Sequence, residues 1–270
     1  MALSVRTLSG PGDAASFLSR RFIRIAPLLY LVTLVYLIQA TAYGRTFEAG
    51  QLANGLTILP AFETAAQFDY ALVPAWTLGF ELAFYLLVAL VVAVRMPWRL
   101  AGLIALLVSL PALPLVLPPA LSPYSSPLML EFAFGVAAYG LWSRNLISAR
   151  WAVLAALAGM AMLVLPFAEM RAVRWGVPCG LLFTAALAWR PGAGPLAGVA
   201  LWLGTISYSM YLSHVVVFDA LAPLLRPHMD LGVMALTLAG AGLLAAWWLH
   251  DRVEAPLMRM GFKRKAALAG

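Results

Sequence analysis

Long apolar runs separated by short polar stretches dominate the chain, and eight of them approach the roughly 20 residues that a bilayer-spanning helix needs. They predict spans over Phe22–Ala42, Trp76–Val94, Trp98–Leu117, Pro127–Trp142, Trp151–Ala168, Trp175–Trp189, Ala200–Ala222 and Leu231–His250. The fourth and sixth are short, and Pro178 is expected to kink the sixth. Trp76, Trp98, Trp142, Trp151, Trp175 and Trp189 fall at span ends, where an aromatic belt meets the membrane surface. The residues before Phe22 are polar and lack the apolar core of a signal peptide, and no helix is expected over residues 1–16. The pattern therefore predicts an all-α polytopic helix bundle, one domain over residues 1–270, with residues 260–270 a short basic tail.

Composition sharpens this. With 63% hydrophobic and 11% charged residues and a mean hydropathy of +0.90, there is too little polar surface for a soluble globule. The net charge of +7 does not point to nucleic acid, because the basic residues gather at helix ends rather than along a polar face. With the N-terminus in the cytoplasm, the inner segments hold Arg6, Arg20, Arg21, Arg24, Arg95, Arg99, Arg144, Arg150, Arg190, Arg252, Arg259, Lys263, Arg264 and Lys265. The outer loops hold only Arg45, Arg171, Arg174 and Arg226. That bias puts both termini inside, and the long Tyr43–Ala75 segment outside, where it is long enough to fold over an outward mouth. Cys179 is the sole cysteine, so disulfides contribute nothing, and His214, His228 and His250 have no metal-ligand spacing. No metal site or phosphate-loop motif is expected.

Glu81, Glu131 and Asp219 lie inside predicted spans, where a lipid-facing acid costs at least about 2.5 kcal/mol. At ~1.5 Å per residue all three fall in the outer leaflet, while His214 lies deeper, roughly 12 Å from the outer end of its helix. At the opposite mouth Arg20, Arg21 and Arg24 share an arc of about 100° on one helix. These arginines fit either a topological anchor or a phosphate clamp. Glu131 reads as a helix-end carboxylate or a cavity group, and Asp219 as a near-surface acid. Glu81, with Thr77 one turn before it, reads as functional. Ser207, Tyr208 and Tyr211 share a face with His214, either as an interhelical hydrogen-bond seam or as the wall of a polar cavity.

Five stretches, taken together, resemble the integral-membrane acyltransferase family 3, whose members O-acylate envelope polysaccharides and related molecules. Phe17–Leu31, "FLSRRFIRIAPLLYL", is similar to its arginine signature through Arg21, Arg24 and Pro27. Pro74–Leu87, "PAWTLGFELAFYLL", resembles a second motif through Trp76, Thr77, Leu78, Glu81, Phe84 and Tyr85. Leu130–Gly135, "LEFAFG", Leu203–His214, "LGTISYSMYLSH", and Val253–Arg259, "VEAPLMR", follow in family order.

The resemblance implies transfer of an acyl group, expected to be acetyl, from acyl-CoA to a hydroxyl of an envelope carbohydrate or lipid-linked acceptor. Acyl-CoA is then a co-substrate, not a bound cofactor, and its phosphates meet Arg21 and Arg24 at the cytoplasmic face of the inner membrane. Trp76, Glu131, Ser207, Tyr208 and Tyr211 are expected to line a polar cavity. The family's first span carries a histidine that serves as base, whereas here the first span corresponds to the family's third. The expectation is that Met1–Gly270 lacks two helices and is inactive alone, leaving His214 and Glu81 as the candidates for catalysis in this chain. A transporter or flippase using the same polar core is the rival reading, and a non-catalytic fragment is a third.

Overall fold

A computed structural model describes residues 10–58, 69–96, 98–112, 124–165, 169–188 and 194–259. Among these the protein is all helical: α1 Pro11–Ala42, α2 Ala49–Thr57, α3 Ala75–Ala93, α4 Arg99–Ser109, α5 Met129–Ser143, α6 Ala149–Val164, α7 Val177–Ala188, α8 Pro195–Leu225 and α9 Leu231–Leu249. A 3₁₀ turn, Leu110–Ala112, extends α4, and π-helical turns precede α7 (Ala172–Gly176) and follow α9 (His250–Glu254).

Among the described residues four helices are long and apolar enough to cross a membrane: Pro11–Ala42, Ala75–Ala93, Pro195–Leu225 and Leu231–Arg259. The apolar stretches Arg99–Ala112, Ala149–Val164 and Ala172–Ala188 are shorter, as is the 15-residue α5. Every predicted span thus contains a helix, but not every described helix reaches spanning length; the ends of the third, fifth and sixth spans lie outside the described residues. Large apolar side chains face outwards: Phe22 is 52%, Leu34 55% and Ile38 64% exposed on α1. In water each would forgo roughly 1.5–3 kcal/mol of burial, so hydrocarbon is the fitting solvent.

One expectation is corrected. The first helix begins at Pro11, inside the stretch expected to be free of helix. Gly10 adopts φ +94°, its amide donates to the Val92 carbonyl at 3.2 Å, and its carbonyl accepts from Ala14. Pro11 and Asp13 then supply the fixed φ and first-turn negative charge that favour a helix start. Pro178 lies inside the continuous helical stretch Ala172–Ala188, directly after a π turn, Ala172–Gly176, that accommodates its missing amide hydrogen.

The chain forms two compact units. The first comprises Met1–Leu18 and Phe80–Gly192, where α5 packs against α4 and α7, and α6 packs against α7. The α6–α7 approach is close at Gly159, where an added Cβ would lie 2.9 Å from the Pro178 carbonyl oxygen. The second comprises Ser19–Gly79 and Ala193–Gly270, with α8 packed against α9. In this second unit the Tyr43–Ala75 segment contains α2. Gln51 Nε2 donates to Asp69 Oδ2 at 2.8 Å, Asn54 Nδ2 to the Asp69 carbonyl at 3.1 Å, and Tyr30 to the Leu56 carbonyl at 2.7 Å.

Candidate functional site

Within the second unit α8 acts as a polar spine, because successive side chains along it reach different partners. Tyr208 donates to the Ile25 carbonyl of α1 at 2.7 Å. One residue on, Ser209 donates to Glu254 Oε2 at 2.7 Å. Tyr211 donates to the Pro74 carbonyl at 2.7 Å and lies 2.6 Å from Thr77 Oγ1. Thr77 Oγ1 also lies 3.2 Å from the Pro74 carbonyl oxygen, so two hydroxyl protons serve the three contacts of this triangle. Tyr208 and Tyr211 are half-buried, whereas Ser207 is exposed and turns back to the Gly204 carbonyl at 2.8 Å. The seam expected of the four-residue stripe therefore runs through Tyr208 and Tyr211 and leaves Ser207 out.

His214 is half-buried on the same helix. Its ring packs against Tyr211, with centroids 6.1 Å apart, and edge-on to Phe218 at 5.7 Å. Nδ1 lies 3.2 Å from the Met210 carbonyl oxygen. In the tautomer that donates this bond, Nε2 carries the free lone pair, the state a general base requires. Of the other histidines, His228 is exposed in the α8–α9 turn and His250 is engaged by Glu254 at 2.9 Å.

Arg21 and Arg24 lie four residues and one residue before Ile25, the residue to which Tyr208 binds α1. Arg21 is half-buried; Arg24 is exposed and makes no ion pair among the described residues. Trp76 is half-buried in the first turn of α3, next to Thr77. Farther along α8, Asp219 Oδ2 pairs with Arg45 Nη1 at 2.8 Å, and the same nitrogen donates to Tyr36 at 2.8 Å. Tyr36 and Asp219 raise the Arg45 pKa above its usual value, so the guanidinium stays charged. Gln39 Nε2 adds a bond to the Val216 carbonyl at 3.1 Å. Asp219 is thus one end of a clasp between α1, the segment after it, and α8.

Glu81 and Glu131 belong to the first unit. Glu81 accepts from Tyr85, one turn on in α3, while Phe17 packs edge-on against Tyr85 at 5.8 Å. Glu131, in the first turn of α5, lies 3.4 Å from Arg171 Nε and lines a cavity of about 430 Å³ between α3, α5 and α7. No group of three or more His, Cys, Asp or Glu among the described residues could hold a metal ion.

Sequence reasoning missed the Ser209–Glu254–His250 cluster. Ser209 is fully buried and Glu254 is 4% exposed, in the π turn that continues α9. The i, i+4 spacing of His250 and Glu254 was the available signal.

Compared with known families, the chain matches the model of acyltransferase family 3, described as an acyltransferase domain, over residues 2–251. No curated protein and no solved structure matches it.

Proposed function

The chain belongs to this acyltransferase family, and from that membership we propose that it moves an acyl group, acetyl in the simplest case, from acyl-CoA to a hydroxyl of a carbohydrate or lipid-linked acceptor. The family match over residues 2–251 carries the reading. The second unit supports it, since Arg21 and Arg24 on α1 are joined, through the Tyr208–Ile25 bond, to the helix that bears His214.

In this reading Arg21 and Arg24 hold the donor phosphates, for which guanidinium forks are suited. Thr77 and Tyr211 fix α8 against the start of α3 and so hold His214 in place. His214 Nε2 takes or orients the acceptor hydroxyl proton as the oxygen attacks the thioester carbonyl; the C–O bond forms, the C–S bond breaks, and the thiol leaves with a proton. Hydrogen-bond donors around the carbonyl oxygen stabilise the tetrahedral intermediate.

The test is transfer of labelled acetyl from acetyl-CoA to a saccharide by membranes carrying the protein from its full reading frame. Transfer is expected, and His214→Gln should lower it by about 10²-fold or more if His214 is the base, the lower end of general-base contributions. A smaller loss would make it a positioning group, and saccharide flux without acylation would instead favour a transporter.

A further inference from the structure

The cavity in the first unit is an elongated groove whose chemistry changes from one end to the other. Glu131, Gly135 and Tyr139 recur every four residues along one face of α5, which gives the groove a length of about 12 Å. Phe84 stacks on Phe132 with centroids 4.7 Å apart to form one wall, and Val136, Phe183 and Leu187 complete it. Phe183, 47% exposed, forms the open rim. Gly135 leaves the middle vacant, since a Cβ added there would meet nothing within 4 Å.

The polar end is distinctive. Glu131 Oε1 is buried against Arg171 Nε at 3.4 Å, whereas a third of the side chain is exposed where it lines the groove. With one oxygen held by Arg171, the remaining acceptor capacity of the carboxylate, at the end of an otherwise apolar groove, favours a ligand that brings a hydroxyl. A plain hydrocarbon chain brings none. A phosphate headgroup would set negative charge beside Glu131, whose neighbouring cation is already balanced.

We propose that this groove binds the alkyl chain of a glycolipid, with a sugar hydroxyl donating to Glu131. The proposal rests on the acyl-transfer reading only in treating that glycolipid as the acceptor; the binding itself needs no donor.

The test uses the full chain in detergent micelles with a decyl glycoside carrying a diazirine in its alkyl chain, followed by peptide mapping of the photo-crosslink. Labelling is expected on Phe132–Tyr139 and Phe183–Leu187, and excess unlabelled decyl glycoside should suppress it. Didecanoyl phosphatidylglycerol at the same concentration should not. Gly135→Phe, which fills the groove, should reduce labelling at least tenfold, while Gly135→Ala keeps it and confirms that the helix tolerates a side chain there. Glu131→Gln should weaken competition by the glycoside several-fold. Labelling confined to other segments, labelling that survives Gly135→Phe, or equal suppression by the phospholipid would each overturn the proposal. If groove labelling stands but the full-frame protein transfers no acetyl group, the reaction falls and the groove remains.

Discussion

Replacing Glu254 removes the acceptor of two donors at once, and the surroundings make that expensive. Ser209, fully buried, donates to Glu254 Oε2 at 2.7 Å, and His250 Nδ1 lies 2.9 Å from the same oxygen. Hydrogen bonds to a charged group are worth about 1.5–3 kcal/mol each, so Ser209→Ala should cost an amount in that range. Glu254→Ala strips the acceptor from both donors and should cost about 3 kcal/mol or more, the loss of two such bonds at once. Between Ser209 and Glu254 the coupling should be about 1.5 kcal/mol or more. That exceeds the ~0.6 kcal/mol average for interhelical hydrogen bonds in a membrane, because the acceptor is a carboxylate. Reversible unfolding in mixed micelles, with SDS as denaturant, measures all four corners of the double-mutant cycle. A coupling below about 0.5 kcal/mol, the scatter of independent sites, would refute the reasoning.

Two further outcomes follow from the second unit. Asp219→Asn in the Arg45 clasp should cost no more than about 1 kcal/mol in the same unfolding assay, because Arg45 is half-exposed and solvent screens the pair; a loss above 3 kcal/mol would show that the clasp is more deeply buried than its geometry implies. A cysteine at exposed Thr46, in a Cys179→Ser background, should react with a membrane-impermeant maleimide from outside the cell, and modification only from the cytoplasmic side would invert the topology argued from the arginines.

The helices were legible because about 20 apolar residues in a row leave the backbone few alternatives in a bilayer. Their ends were less so. The Gly10–Pro11–Asp13 start signal is present in the sequence, but an apolar-run criterion passes over it in favour of Phe22. The polar stripe on α8 was visible as a period, yet a face about 100° wide does not say which of its members meets a partner. Ser207 lies on that face and is exposed, while Tyr208 pairs with Ile25, 183 residues away in sequence. Ser209 and Glu254 escaped for a related reason: a π turn shifts the register that a 3.6-residue period assumes and carries Glu254 inward. Glu131 was read as a helix-end acid or a cavity group, and only the packing of α3, α5 and α7 places it beside an open groove.

Binding of acetyl-CoA to the purified protein in lipid nanodiscs tests the central claim most directly, since donor recognition comes before any choice of acceptor. Saturable binding is expected, and Arg21→Ala with Arg24→Ala should weaken it by tenfold or more, the loss of two charge-assisted phosphate contacts. Absence of saturable binding, or an affinity unchanged by the double substitution in a protein that still inserts and folds, would contradict the account and return both arginines to a topological role.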